Sequence, residues 1–121
     1  MRTALTALAL AAAAALLGGC ASAASGAQPP VQTAEVTMPP SYRFDPPSIQ
    51  VPAGATVTFR NRDNFTHSVS VTGGGFPYLD LAPGASGQIR FDQPGEYAYV
   101  CTYHAQNMKG RVTVAPERRP L

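Results

Sequence analysis

The stretch GEYAYVCTYHAQNMKGRVTV, residues 95–114, decides the fold. Tyr97, Tyr99 and Cys101 alternate on one side of an extended run, with Glu96, Ala98 and Val100 on the other. The alternation resumes at Arg111, Val112, Thr113 and Val114. Aromatic and β-branched residues at period two suit a half-buried strand, so both flanks are read as strands. Between them a loop carries a cysteine, a histidine and a methionine, and Cys101 inherits the inward direction of Tyr97 and Tyr99. A loop held at both ends by a sheet is a rigid place to hold a metal.

Upstream, the same period recurs in short pieces. Ala55, Val57 and Phe59 face one way while Thr56, Thr58 and Arg60 face the other, the cleanest alternation in the chain. Ile49 and Val51 form a short strand before the turn at Pro52, Ala53 and Gly54. Ser68 to Val71 alternate after His67, Leu79 and Leu81 are partly buried, and Ile89 and Phe91 face a core. Glu35 to Met38 reads as an edge strand ended by Pro39-Pro40, whose missing N–H groups cannot continue a ladder. Residues 42–47 are extended or turning ahead of their prolines. Residues 61–66 are a polar loop leading to His67, and Gly73, Gly74 and Gly75 demand mobility or positive φ. About seven or eight short strands in one small domain predict an all-β fold, a Greek-key β-sandwich.

With 121 residues and neither repeats nor a second apolar cluster, the chain is one domain. Its N-terminus reads as a processing segment. Arg2 precedes an apolar stretch, residues 4–17, too short for a membrane span, and Leu17-Gly18-Gly19-Cys20 resembles a bacterial lipobox. The expected division is a lipoprotein signal peptide at 1–19, a flexible tether at 20–34, a metal-binding domain at 35–115 and a C-terminal tail at 116–121. Cleavage before Cys20 with lipid on its sulfur would anchor the chain to the periplasmic or outer face of a bacterial membrane. An ordinary secretory signal cut near Ala21–Ala23 is the alternative. If Cys20 is lipidated, Cys101 has no intramolecular partner in an oxidising compartment, where a free thiol is a liability unless buried or metal-bound. Loss of Arg2 leaves eight basic residues against seven acidic, a formal balance of +1 that offers no strong field to nucleic acid.

Four side chains form a constellation: His67, Cys101, His104 and Met108. Taken singly each has a plain reading, the cysteine as a small core residue, each histidine as a solvated or hydrogen-bonded loop residue, the methionine as loop packing. They are not independent. The two histidines of the chain and its one cysteine outside the lipobox fall in the strand context that one site requires. A thiolate, two imidazoles and a thioether are the donors of a trigonal His₂Cys copper site with a weak axial Met. Gln106, and more distantly Met38, are alternatives to Met108. Ser68 is a candidate to tie the two ligand loops together by hydrogen bonds. Phe76, Pro77 and Tyr103 form either an apolar docking rim around His104 or ordinary packing.

At these residues the sequence resembles the cupredoxins, small blue copper proteins of the plastocyanin and amicyanin kind. The resemblance runs through Phe44-x-Pro46 with Ile49 and Val51, Gly54-x-x-Val57-x-Phe59-x-Asn61, His67-Ser68-Val69, Pro83-Gly84, Gly95-x-Tyr97-x-Tyr99-x-Cys101, His104, Met108, Gly110 and Val112-Thr113-Val114. It implies one type 1 copper ion at one end of a Greek-key sandwich, held by His67 from the upstream loop and by Cys101, His104 and Met108 from the last loop. It also implies single-electron transfer between redox protein partners through the exposed edge of His104. Three residues separate His104 from Met108, against four usual in plastocyanin-like loops and two in amicyanin-like ones. The expected function is thus that of a monomeric electron carrier, with copper storage, delivery or tolerance as the alternative. Catalysis is not expected: one centre consumes both histidines, and no oxyanion or orienting group accompanies Cys101 and His104. Zinc is conceivable on His67, Cys101 and His104, but methionine is a poor zinc ligand.

Overall fold

The computed structural model describes residues 28–117, and the leader, Cys20, most of the tether and the last four residues lie outside them. Nine strands follow in chain order: β1 (Val31–Gln32), β2 (Glu35–Met38), β3 (Ser48–Pro52), β4 (Ala55–Asn61), β5 (His67–Val71), β6 (Leu79–Leu81), β7 (Ser86–Phe91), β8 (Gly95–Val100) and β9 (Lys109–Ala115). They make two sheets, one ordered β1-β3-β9-β8-β5-β6 and the other β2-β4-β7. The architecture is the cupredoxin-like β-sandwich expected from the alternating runs. Seven or eight strands were expected; the addition is β1, two residues paired parallel with Ile49 and Gln50 inside the segment read as tether.

Alternation becomes burial. In β4 the inward residues Val57 and Phe59 are fully buried while Thr56 and Arg60 are exposed, and Ile89 and Phe91 of β7 oppose Val57 and Ala55 from the same sheet. Residues of period two thus place one side of each strand in the space between the sheets, where each large apolar side chain contributes about 1.5–3 kcal/mol on burial. Phe44, Phe59 and Tyr99 meet edge to face in the middle of that core, with ring centroids 4.7 and 5.3 Å from Tyr99. The turn glycines Gly73, Gly74 and Gly75 have φ of 101°, 77° and 81°, the positive-φ member of the two readings their run left open.

Register sets up the site. β5 and β8 run antiparallel with Ser70 opposite Val100 and Val71 opposite Tyr99, so the start of β5 and the end of β8 lie at the same end of the sandwich. Val100 also faces Lys109 at the start of β9. His67 and the loop that begins at Cys101 are thereby neighbours, although Cys101 comes 34 positions after His67 along the chain.

Candidate metal centre

Cys101 follows β8 directly, points inward and is fully buried; among the described residues it is the one cysteine and has a free thiol. A 3-10 turn, Thr102–His104, reverses the chain after it. The loop is closed by its own backbone: the His104 N–H donates to the Cys101 carbonyl at 3.1 Å, the Met108 N–H to the His104 carbonyl at 2.9 Å, and the Cys101 N–H to the Met108 carbonyl at 3.0 Å. These bonds hold the three loop residues in fixed relation without any side chain spent on the task.

His67 opens β5 with no exposed surface. Its Nδ1 lies 3.8 Å from Cys101 Sγ, and its Nε2 lies 2.8 Å from a carboxylate oxygen of Asp63. A carboxylate only accepts, so Nε2 carries the ring proton and the Nδ1 lone pair faces the sulfur. Donors about 2.0 Å (nitrogen) and 2.3 Å (sulfur) from one ion, at a separation of 3.8 Å, subtend an angle of about 120°, the trigonal value. The pair therefore fits a thiolate–imidazole metal site. The His104 ring lies 5.5 Å from that of His67 and is half-buried, and Met108 is fully buried. Among the described residues no set of three or more His, Cys, Asp and Glu side chains closes on one point. The arrangement is a tight Cys–His pair with a second imidazole and a thioether beside it.

In the polar loop 61–66 two side chains, those of Asn61 and Asp63, are buried, while the other four residues are exposed. Asn61 donates to the carbonyls of Phe65 at 2.7 Å and Leu81 at 2.9 Å, and accepts the Asp63 N–H at 2.9 Å. That staple turns the Asp63 side chain inward, where its other oxygen accepts the Asn64 N–H at 2.7 Å. The hydrogen bond from His67 holds the Asp63 carboxyl below its usual value against the opposing effect of burial, so it is an anion poised to orient the ring. On the other side the Ser68 N–H donates to Cys101 Sγ at 3.3 Å. The Ser68 hydroxyl accepts the Thr102 N–H at 2.8 Å, joining the two loops.

Of the two readings left open for Phe76 and Pro77, a rim around His104 or ordinary packing, the contacts are those of packing. Phe76 packs on Phe91 and Tyr97, at 5.2 and 5.3 Å, and Pro77 lines a shallow cleft with Arg90 and Asp92; both belong to the other side of the core. Tyr103 is exposed and donates its hydroxyl to Asp80 at 2.8 Å, a bond that raises its pKa. The ring against His104 is that of Tyr42, at 4.5 Å, which also stacks on Phe65 at 5.7 Å. Ser41 and Tyr42 have φ of 110° and 54°, values that cost a residue with a Cβ of the order of 1–3 kcal/mol and concentrate at functional sites. Of the alternatives to Met108, Gln106 is exposed, and Met38 is buried opposite Asn61. Sequence reasoning passed over Asp63, Tyr42 and Thr102, because short polar and aromatic loop residues carry no periodicity, and it met Asn61 as part of the family resemblance without giving it a role. The one signal available was the spacing of Asp63 from His67.

Comparison with known proteins agrees with this geometry. A family model described as cupredoxin-like domain matches residues 7–114. Amicyanin-alpha of Methylorubrum extorquens is 35% identical over 118 residues, covering 89% of this chain and 98% of its own. Plastocyanin of Scenedesmus fuscus is 36% identical over 84 residues, covering 59% of this chain and 85% of its own. Among solved structures, a Cu(I) form of an amicyanin variant superposes with a TM-score of 0.60 at 28% identity, covering 76% of this chain and 88% of that one. With the sandwich, the buried cysteine between its last two long strands and the histidine facing it, these likenesses place the chain in the cupredoxin family.

Proposed function

We propose that this protein is a type 1 (blue) copper protein that carries single electrons between redox protein partners by outer-sphere transfer. Copper bound there supplies one-electron Cu(II)/Cu(I) chemistry; the rest is done by the chain. Cys101 supplies a thiolate, and His67 supplies Nδ1 while Asp63 fixes its ring from behind. His104 is the third ligand and, being half-buried, the edge through which an electron passes to a partner. Met108 would supply the thioether; its burial favours it over the exposed Gln106. Held by strands and backbone hydrogen bonds, the ligands need little rearrangement between oxidation states, which keeps the transfer fast.

The observation that carries the reading is the 3.8 Å approach of Cys101 Sγ to His67 Nδ1 in a fully buried setting. Burial also favours a retained ion over one handed on, hence electron transfer over copper delivery. Nothing in the site asks for catalysis. The N-terminal reading completes the proposal: export, lipid on Cys20, a tether at 20–34, the copper domain at 35–115, a short tail, and a monomer anchored to a membrane face. Among the described residues no helix is long and apolar enough to cross a membrane.

The test is copper(II) titration followed by visible absorption. An intense blue or green thiolate-to-copper band is expected at one equivalent, and Cys101→Ser abolishes it. A colourless, tightly bound complex would refute the type 1 assignment. Stopped-flow self-exchange beside copper transfer to an acceptor then separates carrier from chaperone: rapid exchange with inert metal supports the first, ready surrender of copper defeats it. Mass spectrometry of the mature chain tests the lipid, and an unmodified N-terminus beyond Cys20 would reject it.

A further inference from the structure

The sulfur of Cys101 is linked to the surface by three hydroxyl groups in file. Ser68 Oγ lies 3.8 Å from Sγ, Thr102 Oγ1 lies 2.8 Å from Ser68 Oγ, and Tyr78 Oη lies 2.8 Å from Thr102 Oγ1. Ser68 is fully buried, whereas Tyr78, the residue before β6, is 52% exposed. The file begins at a candidate ligand and ends in solvent.

Its proton order follows from counting. A serine hydroxyl has one proton and two lone pairs, and one lone pair of Ser68 already accepts the Thr102 N–H at 2.8 Å. When the Thr102 hydroxyl donates to the second lone pair, the Ser68 proton is left for the sulfur. When Thr102 donates outward to Tyr78, the Ser68 proton is drawn to Thr102 and away from the sulfur. The choice is made at the outer end. A phenol O–H is a stronger donor than an aliphatic O–H because the ring delocalises charge from its oxygen, and by donating to Thr102 it directs each following proton inward. Bonds in such a file also strengthen one another in a low-dielectric interior.

We propose that Tyr78 is a positioning residue for the metal centre: through Thr102 it fixes the Ser68 hydroxyl as a second hydrogen-bond donor to the Cys101 sulfur, beside the Ser68 N–H. The inference rests on Cys101 being the thiolate ligand. A donor on that sulfur favours the state in which it carries more negative charge, the reduced state, so losing the donor favours the oxidised one. Among the described residues the Tyr78 hydroxyl is hydrogen-bonded to Thr102 and to no candidate ligand, so that its effect on the sulfur runs through the intervening hydroxyls.

The experiment uses the full chain loaded with copper and equilibrated with hexacyanoferrate, one electron passing from hexacyanoferrate(II) to the bound Cu(II) to give hexacyanoferrate(III) and Cu(I). Tyr78→Phe removes one hydroxyl from an exposed ring and is expected to lower the reduction constant about threefold or more, the worth of one modest hydrogen bond. It also shifts the sulfur charge-transfer band. Thr102→Ser keeps both properties, and Thr102→Val loses them. In a Ser68→Ala background Tyr78→Phe adds nothing. Wild-type values in Tyr78→Phe, or an undiminished effect in the Ser68→Ala background, overturn the proposal. The metal-free protein provides a second readout: a Tyr78→Phe/Ser68→Ala double-mutant cycle in urea gives a non-zero coupling if the file exists, and zero coupling overturns it. A wild type without the thiolate band would instead defeat the type 1 reading, while the metal-free cycle still reports on the file.

Discussion

Gly110→Ala is the substitution for which the structure gives the sharpest magnitude. Gly110 stands opposite Tyr99 in the β8–β9 ladder, and a Cβ built on it falls 2.2 Å from Cζ, 2.3 Å from the hydroxyl oxygen and 2.5 Å from Cε2 of that ring. Carbon atoms in contact sit about 3.5–4.0 Å apart, so the ring would have to withdraw by more than an ångström. It has nowhere to go, because Tyr99 is fully buried and its ring is held edge to face by Phe44 and Phe59. Overpacking of this kind costs about 1–3 kcal/mol, and disturbing two aromatic pairs adds about 0.5–1.5 kcal/mol each. Stiffening the unfolded chain returns about 0.4–1 kcal/mol. We therefore expect a net loss of about 3 kcal/mol, measured as a lower urea midpoint at unchanged slope in the metal-free protein, and a melting temperature lower by about 10–20 °C. In a Tyr99→Leu background the same change should cost less than half as much. A loss below about 0.5 kcal/mol in the wild-type background would refute the packing argument, since it would mean that the core yields freely. Met108 lies two residues away on the same segment, so a broadened copper band should accompany the loss.

The remaining expectations are shorter. Tyr99→Phe removes the one buried side-chain polar atom without a hydrogen-bond partner among the described residues, and should leave stability unchanged or raise it by up to about 1 kcal/mol in urea unfolding. Asp63→Ala frees the His67 ring and should weaken copper retention about 10- to 100-fold in a chelator competition, with the thiolate band kept. The hydrogen bond from His67 holds the Asp63 carboxyl below its ordinary 3.8, so its contribution to stability is complete above that value and is lost as pH falls through the lower folded value. The gap in urea midpoint between wild type and Asp63→Asn should accordingly shrink below about pH 4. Met108→Ala should shift the visible band and the reduction equilibrium, whereas Gln106→Ala leaves both in place; the reverse result would make glutamine the axial ligand.

Local periodicity is what the sequence could determine. Val57 and Phe59, and Ile89 and Phe91, alternate with polar neighbours, Tyr97 and Tyr99 with the smaller Ala98 and Val100, and because a strand turns its side chains over every residue, the pattern alone marks strands and their inner faces. It also identifies donor types, since the chain has two histidines and one cysteine outside the lipobox, with Met108 two residues ahead of Gly110 on the same segment. What it could not carry is contact between residues whose relation depends on register and loop path. The Gly110 cleft for Tyr99, Asp63 behind His67 and the hydroxyl file from Tyr78 to Cys101 arise only when β5, β8 and β9 are set side by side, and Tyr42 meets His104 only when the β2–β3 connection is folded over that end. Phe76 shows the same limit from the other direction: nothing in its neighbours along the chain says that it packs on Phe91 rather than beside His104. A period belongs to one strand, but a site belongs to several, and only the tertiary fold fixes how they are offset.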